Sequence, residues 1–283
     1  MKALTIHRGI CRDRLKSSAL VTLPLMCSAL CAAPVAAAGT ELTEAQFLDS
    51  LRLLAAPPPP PPPQAGQFGV TSGFGMPHGT VFAAGVLTDR RERSAARDYD
   101  GSAGVGLGLG DARQWVGLDV TLGIISTTPS QLGEDGNLNL KLHRQLPGLT
   151  AGGVSSVALG VGNLMRWGDA READQNRYVS ASTLLDLSTS GGRPMPVMLT
   201  AGYGTAISGL GRDEDGFFGA GVGLTSRFSA SASWVGDEWI TGVTYLERDL
   251  NLQVTLAVGD VTDRLGEGQR YILAVGFVFG NVF

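Results

Sequence analysis

From Arg270 to the C-terminus the chain alternates with a period of two. Tyr271, Leu273, Val275, Phe277, Phe279 and the terminal Phe283 fall on one parity; Ile272, Ala274, Gly276, Val278 and Gly280 fall on the other. A β-strand presents successive side chains to opposite faces, so this segment carries one face of large apolar groups and one of mostly small groups. Large apolar side chains suit acyl chains and small ones suit an enclosed lumen, so the segment reads as a lipid-facing strand that closes a barrel. A buried edge strand of a soluble β protein is the alternative.

The rest of the chain favours the barrel. From Thr80 onward about twelve alternating segments follow one another, expected near Thr80–Thr88, Ser102–Gly110, Gln114–Ser126, Asn137–Gln145, Val154–Leu164, Arg177–Leu187, Val197–Ser208, Phe217–Ser226, Ser229–Val235, Glu238–Leu246, Leu250–Val258 and Gln269–Phe279. Val116, Leu118, Val120, Leu122 and Ile124 oppose Trp115, Gly117, Asp119, Thr121 and Gly123, and Leu138, Leu140 and Leu142 oppose Asn137, Asn139, Lys141 and His143. Alternation alone suits a sandwich as well as a barrel, but connection lengths separate the two. Counting back from a last strand that ends in the periplasm, one set of connections is Gly110–Arg113, Gln145–Gly153, Ser188–Pro196, Arg227-Phe228 and Glu247–Asp249. The other, including Asp89–Gly101, Thr127–Gly136, Met165–Asn176, Gly209–Gly216 and Gly259–Gly268, is on the whole longer and rich in charge. That asymmetry matches periplasmic turns and extracellular loops; Gly236-Asp237, a tight turn on the outer side, is the exception. Forty glycines with only 7% aromatic and 17% charged residues suit many strands with small inward faces. No run after Ala38 is long and apolar enough for a spanning helix, so membrane residence has to be by strands. The fold expected is all-β, an antiparallel transmembrane β-barrel of about twelve strands over residues 80–283.

Residues 1–38 read as a signal peptide: a basic n-region (Lys2, Arg8, Arg12, Arg14, Lys16), an apolar stretch from Ala19 to Ala33 broken by Pro24, and Ala36-Ala37-Ala38 before Gly39. All three cysteines, Cys11, Cys27 and Cys31, lie before this cut, which leaves no disulfide, thiol catalyst or thiolate metal site afterwards. The removed piece carries five basic residues and one acid, so cleavage takes the formal net charge from -4 to -8 and argues against a nucleic-acid partner. Residues 39–79 read as a periplasmic arm. Thr43 and Gln46 have capping-box spacing, and Phe47, Leu51 and Leu54 share one face of a short amphipathic helix. Pro57 to Pro63 then form a polyproline linker. Phe68 to Met76 cannot be a thirteenth strand, which would start on the wrong side of the membrane; it belongs before the barrel or inside its lumen.

The tail resembles the closing strand of bacterial outer-membrane β-barrels, departing from it at Asn281, and the region from Thr80 to Phe283 resembles uncharacterised porin-like families of that class. The resemblance implies residence in the outer membrane with lipid as a partner. It also implies that Tyr271, Phe277, Phe279 and Phe283 form a signal read by the barrel-assembly machinery.

Catalytic and metal chemistry find little support. After cleavage only His78 and His143 remain, neither with a partner at ligand spacing. A Ser/His pair like that of outer-membrane phospholipases would need an outward nucleophile near the outer rim, whereas His143 is expected inward near the periplasmic end. Arg212–Gly216 clusters acids without the spacing of a calcium loop, and reads as a solvated outer loop. The glycine strings at Gly104–Gly108 and Gly219–Gly223 have period two inside strands, unlike a phosphate loop. Neither a cofactor nor a metal is expected. What remains is a lumen-facing set, Asp119, Asn137, Asn139, Lys141, His143 and Gln253, among inward glycines that leave room for water. The expectation is a passive pore for small hydrophilic solutes, not an enzyme. The competing class is a barrel plugged by Gln64–Gly79 or by the helix, structural or export-associated, whose arm meets a periplasmic or peptidoglycan partner.

Overall fold

The computed structural model describes residues 64–89, 99–125, 133–189, 191–209, 211–266 and 268–283. The signal peptide, amphipathic helix and polyproline linker lie outside the described residues.

Twelve strands follow in chain order: β1 (Val81–Asp89), β2 (Tyr99–Gly110), β3 (Gly117–Ile124), β4 (Gly136–Leu146), β5 (Gly153–Trp167), β6 (Asn176–Ser188), β7 (Pro194–Ser208), β8 (Asp213–Gly223), β9 (Phe228–Val235), β10 (Glu238–Glu247), β11 (Leu252–Gly259) and β12 (Arg270–Phe279). Each pairs antiparallel with its neighbours in sequence, and β1 closes on β12 from Val81 opposite Phe279 to Thr88 opposite Ile272. Closure leaves no strand edge, which is the condition for backbone to sit in hydrocarbon with its polar groups satisfied.

The alternation sets the register. Asp119 faces Lys141 and Gly117 faces His143 on one side of the β3–β4 pair, and Leu118 faces Leu142 on the other. The outward row is apolar and exposed, with Leu87, Leu142, Leu159, Val179, Leu199, Val243 and Leu256 among its members. Aromatic side chains mark its two borders. Near the end carrying the longer loops, Trp239 packs on Phe218 and Trp234. Near the opposite end Phe228 packs on Tyr245. Trp239 and Tyr245 lie on the same strand about 20 Å apart at ~3.4 Å per residue, which at a tilt of about 40° spans about 15 Å of an apolar band about 25 Å tall.

Several strand ends depart from expectation. β2 and β7 begin three residues earlier, at Tyr99 and Pro194; β3 begins at Gly117, which leaves Trp115 and Val116 in the preceding turn; β5 runs three residues beyond Leu164; and β8 spans Asp213 to Gly223, so the acidic stretch read as a loop starts a strand paired with Ser208. Beyond the bilayer the hairpins keep their ladder, and charged residues there cost nothing because water replaces lipid. The closing strand ends at Phe279, so Phe283 is not part of the lipid-facing row. Asn281 takes a left-handed backbone (φ 55), a conformation Asn tolerates better than most residues, and the chain turns so that Val282 N–H donates to Gly79 O.

Candidate functional site: the occupied lumen

Residues 64–80 run inside the barrel. The segment enters at the short-turn end, where the carbonyl of Gln64 lies against Gly223 and that of Gly66 against Gly221. It climbs to Phe68, which packs on the inward Ile240, Ala257 and Ile272 with Val86 and Val235. It then crosses to β5 and β6 at Ser72-Gly73 and descends past β4 and β3 to leave beside Gly108, joining β1 at the end where it entered. It pairs with no strand except at its exit, where Gly79 and Thr80 bond Gly108.

Single polar side chains of the wall hold its backbone. Ser233 Oγ donates to Phe68 O at 2.7 Å. Gly73 N–H donates to Ser182 Oγ at 2.8 Å and Ser156 Oγ donates to Gly73 O at 2.7 Å. Lys141 Nζ donates to Phe74 O at 2.9 Å, and Met76 N–H donates to Asp119 Oδ1 at 3.0 Å. Asp119 and Lys141 are themselves paired at 3.0 Å, and His143 Nε2 lies 3.3 Å from the same carboxylate. A buried acid carrying one formal charge is thus met by an ammonium and a backbone N–H, with the His143 ring alongside, which is what keeps a carboxylate tolerable away from water.

Glycine makes this fit on both sides. A Cβ on Gly73 would overlap the Ser156 carbonyl, and one on Gly75 the His143 ring; on the wall, a Cβ on Gly108 would meet Pro77 and Met76, and one on Gly219 would meet Gln67. The inward glycines β2 and β8 contribute here therefore admit a chain, where the sequence suggested open water.

The sequence-selected residues divide accordingly. Asp119, Lys141 and His143 meet the segment. His143 is buried between Gly75 and Gly117 and shows no hydrogen bond to a serine among the described residues. Asn137 and Asn139 are spent on one another and on Asn163: Asn139 Nδ2 donates to Asn137 Oδ1, Asn137 Nδ2 to Asn163 Oδ1, and Asn163 N–H to Asn139 Oδ1. They brace a β-bulge in the β4–β5 pair, where Asn163 has φ 55. Gln253 is exposed on the wall of the remaining space. Tyr271, Phe277 and Phe279 face outward from β12, and the Phe283 ring stands edge-on to His78 at 5.5 Å. Sequence reasoning missed Ser156, Ser182 and Ser233, three nearly fully buried inward serines; their place in the small-residue parity was the available signal.

Water-sized space survives beside the segment. A cavity of about 480 Å³ lies between Thr71, Phe74 and Met76 and a wall that includes Asp119, Thr121, Asn139, Lys141, Tyr178 and Gln253. It has room for on the order of 15 waters. Asn139 also borders a polar vestibule of about 450 Å³ at the long-loop end, and Gly75 and Met76 also border a space of about 630 Å³ at the short-turn end.

Closed strand order, apolar exterior and paired aromatic borders define the class: a transmembrane β-barrel of the bacterial outer-membrane type. No family model and no curated protein sequence matches the chain. Among solved structures it is similar to the COG4313 outer membrane channel from Pseudomonas putida F1, at 11% identity and TM-score 0.40 over 72% of this chain and 97% of that one. It is also similar to the Acinetobacter baumannii outer membrane protein Omp33, at 14% identity and TM-score 0.40 over 71% and 98%. A mutant of Rh. blastica porin aligns at 12% identity and TM-score 0.32 over 71% and 99%.

Proposed function

We propose that the protein is a non-enzymatic outer-membrane pore that passes small hydrophilic solutes through a lumen narrowed by its own residues 64–79. The observation that carries this reading is the chain of spaces beside the segment. The outer vestibule shares Asn139 with the central cavity, and the central cavity shares Gly75 and Met76 with the space at the periplasmic mouth. Polar side chains line the middle, and Thr121 and Gln253 among them replace part of a solute's hydration. A mixed acid and base at the centre favours neither ion sign strongly.

The occupied lumen favours one competing reading, a non-conducting structural or export-associated barrel. Liposome swelling with the purified full chain separates the two. The pore reading expects sugars of the smallest sizes to enter faster than into protein-free vesicles, with a sharp fall as solute size grows. Swelling equal to protein-free vesicles for every solute would leave the structural barrel.

A further inference from the structure

We infer that residues 64–79 are a retractable gate that withdraws through the periplasmic mouth, with Gly79 as its pivot and the Asp119–Lys141 pair as its latch. Four observations carry this. The segment enters and leaves at the same end, so it can withdraw as a loop without threading past the wall. Between Gln64 and Pro77 it is tied by separate side-chain-to-backbone bonds at Phe68, Gly73, Phe74 and Met76, with no ladder whose rupture would breach the barrel. Its seat is imperfect: both polar atoms of the Gln67 amide are shut away from solvent without a hydrogen-bond partner among the described residues. Burying such groups unpaired penalises the docked state and is relieved when water enters. Finally, Gly79 sits at φ 75, where a side chain would be strained and a Cβ would meet the Phe283 carbonyl, so the junction to β1 is built on the residue that turns most freely.

The docked state has a direct chemical handle. Ser72 Oγ and Ser182 Oγ are 3.1 Å apart, one on the segment and one on β6, and no cysteine follows Cys31 in the sequence. The double variant Ser72→Cys/Ser182→Cys in the chain freed of residues 1–38, which holds no other cysteine, can therefore be locked by oxidation and released by reductant. Conductance in planar bilayers is read in both states. In parallel, the single variant Ser182→Cys, whose side chain the segment covers, is exposed in proteoliposomes to a membrane-impermeant maleimide, and heat-modifiable gel mobility confirms that the barrel is intact.

The gate predicts that oxidation abolishes the larger openings while those of low conductance remain and that reductant restores the larger ones, and that the thiol of the Ser182→Cys variant is labelled over time in the folded barrel. Equal conductance in both states together with an unlabelled thiol would overturn it, leaving the segment a fixed part of the wall. The conductance arm rests on the pore reading and the labelling arm does not. A labelled thiol in a protein that never conducts would keep the moving segment and refute the pore. Neither labelling nor conductance would refute both.

Discussion

Lys141→Met isolates the latch. In the docked state Lys141 supplies the charged hydrogen bond to Phe74 O at 2.9 Å and neutralises Asp119, whose side chain is only 7% exposed. A hydrogen bond to a charged group contributes about 1.5–3 kcal/mol. The Lys141 side chain is itself 18% exposed, so solvent screening places its share at the lower end, about 2 kcal/mol. Methionine has a similar length and suits the apolar side of the cavity made by Phe74, Met76 and Phe82. In the withdrawn state the lumen floods and the orphaned carboxylate is hydrated, so the loss falls on docking and not on the barrel. About 2 kcal/mol raises the withdrawn fraction about 30-fold at 1.4 kcal/mol per decade. The assay is the labelling rate of Ser182→Cys with and without Lys141→Met. When opening and closing outpace labelling, the rate follows the open population, so an increase of about 30-fold is expected with unchanged heat-modifiable mobility. An unchanged or slower rate would refute the latch, and a loss of the folded form would place the pair in the barrel's own stability.

Gly75→Val puts a branched side chain into the His143 ring and unseats the segment; combined with Ser182→Cys it raises thiol labelling in a barrel that still folds, and a variant that stays protected refutes the steric reading. Leu256→Arg, on the lipid face of β11, lowers the unfolding free energy in urea titrations of the membrane-inserted protein by about 2–4 kcal/mol, whereas the same substitution at Leu149 in a turn has little effect. Deleting Phe283 removes one ring contact to His78, so the inserted protein keeps nearly its parental stability. If the terminal aromatic is read during assembly, the yield of inserted barrel nevertheless falls steeply; an undiminished yield removes that role.

The strands were legible because lipid and lumen impose opposite demands on alternate residues. β3 and β4 show this most plainly, since their leucines and their polar row could be sorted by parity before any register was known. Errors fell where that demand stops. Asp213 to Asp215 lie at the start of β8, outside the apolar band, where a strand needs no alternation to remain paired. Asn281 broke the period at the end of β12 and did so by a left-handed turn, a meaning that parity alone does not carry. Residues 64–79 were the least legible: glycines at 66, 69, 73, 75 and 79 have neither period, and their reason lies in the facing wall. The same wall gives Asp119 and Lys141, read by parity as inward charges facing a solute, partners inside the chain: each other, Met76 N–H and Phe74 O. Pairing between a segment and a wall 43 to 165 residues away leaves no local pattern.

Single-channel recording of the purified chain without residues 1–38 separates a pore from a sealed barrel. Discrete openings of low conductance are expected, as a lumen about 480 Å³ at its middle beside a resident segment requires, with rarer, larger openings when the segment withdraws and their frequency raised by Lys141→Met. A protein inserted with native heat-modifiable mobility that passes no current under any applied potential, in parent and Lys141→Met alike, would contradict the pore and leave a sealed barrel.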